Sequence, residues 1–155
     1  MSKSKFTLTI LSILLCLGAC APGHNDYSLF TNLPDGGWAY GDTISFIPDS
    51  AVLNAPGTLS VALRHDNSYR YSNLWLEITS TDNEVPRRDT VNIVMADKYG
   101  RWKGSGLGTA YQIEQSIPGK IMLKAGVPVK IRHVMRVDTL HGIELIGINY
   151  RSDND

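Results

Sequence analysis

The sequence predicts an all-β protein, an antiparallel β-sandwich of the immunoglobulin-like or jelly-roll-like kind with about eight to nine strands. Three observations lead to this fold. Apolar residues recur at every second position through most of the chain, which is the period of a strand with one face in the core. Turn sequences rich in Gly, Pro, Asn and Asp separate these segments at short intervals. After the N-terminal region, no segment keeps the apolar period of a helix. A small closed barrel is the alternative arrangement.

The N-terminal residues have the features of an export signal. A basic start that contains Lys3 and Lys5 precedes the mostly apolar run from Phe6 to Leu17. This run is shorter than the about 20 apolar residues that a membrane-spanning helix needs. We therefore predict that residues 1–19 are a signal peptide that is removed from the mature protein.

The end of this signal, Leu17-Gly18-Ala19-Cys20, resembles the lipobox of bacterial lipoproteins. An ordinary secretory signal that happens to end near a cysteine is the alternative. With a lipobox, Cys20 becomes the acylated first residue, and palmitate-type chains hold the protein to a membrane. Residues 20–25 are then a short tether, and residues 26–155 form a single β-sandwich domain. The other cysteine, Cys16, lies in the signal, so no disulfide is expected in the mature chain.

Alternating segments give the predicted strands in chain order. In the segment 127–137, Val129, Ile131 and Met135 share one face, while Lys130 and Arg132 share the other. The other predicted strands cover residues 44–46, 59–63, 74–78, 91–95, 111–113, 121–124 and 143–150. Turns are predicted between them at residues 34–37, 54–57, 65–68, 81–84, 97–100 and 117–119.

Charge and histidine spacing argue against two kinds of partner. The chain has 15 basic and 15 acidic residues, so the positive charge typical of a nucleic-acid-binding protein is missing. The four histidines, His24, His65, His133 and His141, are not spaced like metal ligands. We predict no metal and no cofactor. His133 lies on the apolar face of its strand and is predicted to be a hydrogen-bonded core residue.

Sequence signals for catalysis are weak. There is no Gly-x-Ser-x-Gly elbow, and Gly104-Ser-Gly106-Leu-Gly108 lacks the spacing and the following helix of a phosphate-binding loop. Its glycines are better explained by tight turns or bulges beside a sheet. Glu77 or Glu144 could form a carboxylate pair with an Asp on another strand, but the sequence does not identify that Asp. We therefore expect a protein that is not an enzyme.

Aromatic residues offer a better functional signal. Trp38, Trp75 and Trp102, together with Arg101 beside Trp102, are the predicted candidates for contact with a partner or ligand. They could stack on sugar rings, as in a small carbohydrate-binding module, or anchor a protein interface. Alternatively, a tryptophan can close the end of a sandwich core. Both readings stay open for Trp102, which lies between two cations.

Three segments together resemble the gliding-motility lipoprotein H (GldH) family of the Bacteroidota. They are Arg64-His-Asp-Asn-Ser-Tyr-Arg-Tyr71-Ser72-Asn73-Leu74-Trp75-Leu76, the stretch from Asp89 to Gly108 with Ala96-Asp97-Lys-Tyr-Gly100-Arg-Trp102-Lys-Gly104, and Met135-Arg136 followed by Leu140-His-Gly142-Ile143 and Gly147. The resemblance implies a non-enzymatic lipoprotein of the outer membrane, an accessory of the gliding machinery or of an associated cell-envelope complex with protein partners. It implies no catalytic residues.

Overall fold

The computed structural model describes residues 26–49 and 55–153, and the regular elements within these ranges are all strands. In chain order the described strands are β1 (Asp26–Asn32), β2 (Trp38–Ala39), β3 (Ile44–Phe46), β4 (Gly57–His65), β5 (Asn73–Asp82), β6 (Val85–Val94), β7 (Ser105–Leu107), β8 (Ala110–Ser116), β9 (Val129–His133), β10 (Thr139–Leu140) and β11 (Ile143–Ser152). In these two ranges no helix is long and apolar enough to cross a membrane. The predicted signal peptide, Cys20 and the tether lie outside the described residues.

The strands form two main antiparallel sheets. The large sheet has the order β1-β11-β4-β8-β7, the small sheet has the order β3-β9-β5-β6, and β10 pairs with β2 separately. This confirms the predicted all-β antiparallel fold. The described residues contain eleven strands instead of the predicted eight or nine, because the short strands β2, β7 and β10 and the edge strand β1 carry little apolar alternation.

One hydrophobic core joins the two sheets. Leu59, Val61 and Leu63 of β4 belong to the same buried cluster as Leu74 and the other inward residues of β5. Each of these side chains is almost fully buried, which stabilises the fold by roughly 1.5–3 kcal/mol per side chain. The period-two pattern of the sequence therefore predicted the faces of the central strands correctly.

The ladders define two ends of the sandwich. We call the end that contains Asp26, the first described residue after the predicted tether, the tether end. There Asp26 pairs with Arg151, and Arg151 pairs with Thr58 on the next strand. At the opposite end, which we call the distal end, Ile143 pairs with His65, which pairs with Tyr111. The tip of the β5–β6 hairpin belongs to the tether end, because the Met122 N–H donates to the Asp82 carboxylate and Ile121 bridges to Gly57.

Two strand predictions need correction. The segment 121–124 is not a strand; only Ile121 forms a bridge, with Gly57. The reason is that the backbone N–H of Met122 bonds to the side chain of Asp82 at 2.8 Å instead of to a neighbouring strand. The strand predicted at 127–137 covers only Val129–His133.

The glycine-rich segment forms a hairpin. Strand β7 pairs with β8 through Gly106 and Tyr111, and Gly104 and Gly108 on either side of β7 have positive φ angles. The predicted tight backbone geometry beside a sheet is therefore confirmed, and the chain continues into a strand and not a helix.

Candidate functional site at the distal end

Trp102 lies across the distal end of the sandwich. The chain turns back after β6, so that Ala96 bridges to Trp102 and the Lys103 N–H donates to the Met95 carbonyl. The indole is partly buried against the core cluster, and its Nε1–H donates to Asn67 Oδ1 at 3.0 Å. Trp102 therefore covers core residues while keeping part of its surface exposed.

Four other rings complete what we call the distal aromatic cluster: His65, Tyr69, Tyr71 and Tyr111 around Trp102. The ring centroids of His65 and Trp102 are 4.7 Å apart in an edge arrangement, and His65 stacks on Tyr111 at 5.4 Å. Tyr69 contacts both His65 and Tyr71. Such edge and stacked pairs each add about 0.5–1.5 kcal/mol beyond the burial of their area. The cluster therefore closes the core at this end.

Two polar groups in the cluster are held in fixed protonation states. The Nδ1 of His65 lies 3.1 Å from the Asp66 carbonyl, which places a proton on Nδ1. Burial lowers the pKa of His65, and the Asp66 contacts oppose this only in part, so the ring is neutral at pH 7. The Tyr69 hydroxyl donates to the Asn73 carbonyl at 2.7 Å, and burial raises its pKa.

The turn that precedes Trp102 carries exposed positive charge and an exposed ring. Residues 97–103, which we call the basic turn, present Tyr99 at 71% exposure with Lys98 Nζ 4.9 Å from the ring centroid and the Arg101 guanidinium at 5.4 Å. The Asp97 carboxylate accepts from the backbone and side chain of Arg101, which holds the pKa of Asp97 below its usual range. Gly100, the last residue of the turn predicted at 97–100, has φ +79°.

The basic turn carries more positive than negative charge. Lys98, Arg101 and Lys103 are all exposed, and Asp97 is the one acidic residue among positions 97–103. The side chain of Arg101, one of the predicted contact residues, is 76% exposed. A surface of this kind is complementary to an acidic one.

The three segments that resemble family motifs meet at this end. The N–H groups of Met95 and Ala96 donate to the Ser72 carbonyl, which joins the second segment to the first. The Asp66 N–H donates to the Gly142 carbonyl at 2.9 Å, which joins the third segment to the first. Sequence reasoning found the segments but not their meeting point, because each joining contact depends on the tertiary fold.

The other two predicted tryptophans lie elsewhere. Trp38 is 1% exposed, its Nε1–H donates to the Asp42 carbonyl at 3.0 Å, and its ring contacts His133. It is a core residue and has almost no surface to offer a ligand. The structure places His133 in the core as predicted, with Nε2 3.0 Å from the Trp38 carbonyl.

Trp75 is 41% exposed on the outer face of the small sheet, where it pairs with Asn92. Trp38, Trp75 and Trp102 therefore occupy the core, a sheet face and the distal end. They do not form one shared platform of the kind on which sugar rings stack in series.

The two candidate carboxylates are engaged in separate ion pairs. Glu77 accepts from Arg132 at 2.8 Å, and this bond lowers the pKa of Glu77. Glu144 accepts from Arg64 at 2.8 Å on the large sheet. Across residues 26–49 and 55–153, no group of three or more His, Cys, Asp or Glu side chains is arranged to hold a metal ion.

The sequence matches the family described as GldH lipoprotein over residues 25–149, and the chain belongs to this family. No curated protein matches the sequence. Among solved structures, the fold is similar to a part of dimeric latent PorU from Porphyromonas gingivalis, with 14% sequence identity and a TM-score of 0.38. That match covers 88% of this chain but only 14% of the PorU chain.

Family membership confirms the resemblance seen in the three segments. It identifies the protein as an exported, membrane-associated lipoprotein of a gliding-motility family. The residues that would carry this association, Cys20 first among them, lie outside the described ranges.

Proposed function

We propose that this member of the GldH lipoprotein family is a non-enzymatic accessory of the gliding-motility machinery or of an associated cell-envelope complex. Acylated Cys20 anchors it in the outer membrane, and the distal end binds a protein partner. The proposal needs no cofactor and no metal. Family membership supports the link to gliding motility.

One observation supports a functional role for the distal end: all three segments that resemble the family motifs meet there. These segments come from distant parts of the chain, yet hydrogen bonds from Met95 to Ser72 and from Asp66 to Gly142 join them. The second segment also places Lys98, Tyr99 and Arg101, all exposed, directly before Trp102 of the distal aromatic cluster.

The chemistry of the basic turn identifies the kind of partner. An exposed aromatic ring with cations beside it buries apolar area at the centre of an interface, while the cations select an acidic surface. Arginine and tyrosine are among the residues that most often dominate binding energy. The partner is therefore a cell-envelope protein that presents a carboxylate-rich surface around an apolar pocket.

Crosslinking and affinity capture from the native membranes test this function. The full lipidated chain should capture a defined set of proteins, and a Tyr99→Ala, Arg101→Glu variant should lose them. Trp75→Ala is the matched control, because it removes an exposed aromatic from a different face. Equal capture by the wild-type chain and the basic-turn variant would contradict the proposed role of the distal end.

The carbohydrate-binding alternative is tested with the same variants. A sugar-binding module would bind immobilised glycans or cell-envelope polysaccharide, and Trp75→Ala or Trp102→Ala would abolish that binding. We expect no glycan binding above background. Saturable binding that is lost in Trp75→Ala would favour the carbohydrate-binding function over the accessory function.

A further inference from the structure

The position of Asp26 limits how the domain can face the membrane. Only six peptide units separate Cys20 from Asp26, so the tether spans at most about 21 Å when it is fully extended. Asp26 lies at one end of the sandwich, where β1 pairs with Arg151 of β11. The tether therefore leaves the domain from an end and not from the middle of a face.

The length of the sandwich excludes the inverted orientation. The nine residues of β4 run from Gly57 at the tether end to His65 at the distal end, a distance of about 27 Å. With the distal end on the lipid, Asp26 would stand farther from the membrane than the tether can reach. The distal end must then point away from the membrane, or the domain must lie on its side.

The tether end also has an apolar surface that the described residues leave uncovered. A shallow hollow of about 570 Å³ lies beside the β5–β6 hairpin and is lined in part by Pro56, Val85, Pro86 and Met122. Val85 is 65% exposed, a high value for an apolar side chain. Ile47, 59% exposed, lies two residues before Asp49, which bonds to the Tyr27 hydroxyl of β1.

The cations around this hollow are all paired with carboxylates, which outnumber them by five to four. Each cation around the hollow contacts a carboxylate, and the pairs are Lys120 with Asp153, Lys124 with Glu84, Arg87 with Asp82 and Asp89, and Arg151 with Asp26. Paired charges give little net attraction to anionic lipid headgroups. Contact with lipid at this end would depend on apolar area and not on the charge of the membrane.

We infer that the tether end rests on the lipid surface, with Val85 and Ile47 at the level of the headgroups, so that the strands stand on the membrane and the distal end projects away from it. This orientation rests on the proposed anchoring through Cys20. It places the basic turn as far from the membrane as the domain allows, where a partner protein can reach it.

Depth-dependent fluorescence quenching tests the orientation. In the mature lipidated chain the thiol of Cys20 is acylated and Cys16 has left with the signal, so one introduced cysteine can be labelled alone. Val85→Cys and Ile47→Cys report on the tether end, Asn92→Cys on the outer face of the small sheet, and Tyr99→Cys on the distal end. Each labelled protein is incorporated into phosphatidylcholine vesicles that contain a lipid with a spin-labelled headgroup.

We expect strong quenching at positions 85 and 47 and little at positions 92 and 99. Added phosphatidylglycerol should leave this pattern unchanged, because each cation around the hollow is already paired with a carboxylate. Quenching at position 92 as strong as at 85 would mean that the domain lies on its side, and quenching at 99 would mean that it is inverted. Either result would overturn the inference.

Vesicle flotation of the same samples separates the inference from the function on which it rests. If the protein floats with the vesicles but position 85 is not quenched, the anchor is present and the orientation is wrong. If the lipidated protein does not float, the anchoring and the orientation are both wrong. Capture of partners in the native membrane is measured independently of either result.

Discussion

Trp102 and Asn67 are joined by a hydrogen bond of 3.0 Å from the indole N–H to the amide oxygen, across 35 positions of sequence. The bond connects the basic turn to the loop after β4. That loop is itself fixed, because the Asp66 carboxylate accepts from the N–H and the hydroxyl of Ser68. The basic turn and the loop after β4 therefore form one lid over His65. The stability of this lid should depend more on the packing of the Trp102 ring than on the hydrogen bond to Asn67.

Replacing Trp102 tests whether it closes the core. Trp102→Ala should lower the free energy of unfolding by about 3 kcal/mol, because the ring packs on His65 and other core residues. Asn67→Ala removes only the hydrogen bond and should cost about 1 kcal/mol. Urea denaturation of the three proteins gives both values. If Trp102→Ala changed stability by less than Asn67→Ala, the ring would not close the core.

The two buried histidines predict a loss of stability in mild acid. Burial lowers the pKa values of His65 and His133 in the folded state, so between about pH 6.5 and those values the unfolded chain binds more protons. The free energy of unfolding should therefore be independent of these residues above about pH 7 and fall as pH drops below about 6.5. Urea denaturation at a series of pH values measures the slope.

Substitution identifies the source of this slope. His65 Nε2 and His133 Nδ1 are buried and have no hydrogen-bond partner within the described part of the chain, so a second proton has no acceptor there. His133→Phe should lower stability at neutral pH, since it loses the bond to the Trp38 carbonyl, but it should flatten the slope. A slope unchanged in both His65→Phe and His133→Phe would assign the acid sensitivity to other groups.

Apolar alternation predicted the central strands well because their faces differ strongly in burial. In β5, Leu74, Leu76 and Ile78 are fully buried while Trp75 between them is exposed. The edge strand β1 was not predicted, since its side chains alternate only between exposed and half-buried. Periodicity reports burial and is weak wherever a strand has no buried face.

The candidate site was less predictable than the fold. Trp102 and Arg101 were identified from their unusual flanking residues, but His65, Tyr69, Tyr111 and the partner atom on Asn67 were not. These residues come together only when β4, β8 and the basic turn pack at one end, and no spacing along the chain encodes that contact. Trp38 was predicted as a contact residue but is buried in the core. Its position after two glycines does not indicate how deeply its side chain is buried.

The β5–β6 hairpin carries a residue in an unfavourable conformation. Asp82 and Val85 pair across the two residues Asn83 and Glu84, whose φ angles are +47° and +72°. Glycine is preferred over other residues at the second position of such a turn. Glu84→Gly should therefore melt roughly 3 °C above Glu84→Ala. Both variants lack the bond to Lys124, so the comparison isolates the backbone, and equal melting temperatures would argue against strain here.

Membrane anchoring predicts a simple result for Cys20→Ala. The domain should fold, because Cys20 precedes the first strand that the structure describes, at Asp26, but it should leave the membrane fraction. Fractionation with a high-salt wash and circular dichroism measure the two properties. A folded variant that remained in the pellet would show that something other than acylated Cys20 holds the protein to the membrane.

Gly142 connects the backbone of the third segment to the loop that holds Asn67. It has φ +85°, and a Cβ at this position would lie 2.3 Å from the Tyr69 nitrogen. Gly126 has nearly the same angle, φ +78°, with open space around it. The two glycines therefore separate the cost of the conformation from the cost of the close approach.

Gly126→Ala should cost about 1 kcal/mol, the penalty of a left-handed residue with a side chain. Gly142→Ala should cost clearly more, because its methyl group must displace the backbone of Tyr69 and with it the aromatic cluster. If the distal end binds the partner, Gly142→Ala should also reduce partner capture in native membranes, while Gly126→Ala should not. Equal losses of stability in the two variants would mean that the loop moves freely, and the lid over His65 would then not be a rigid unit.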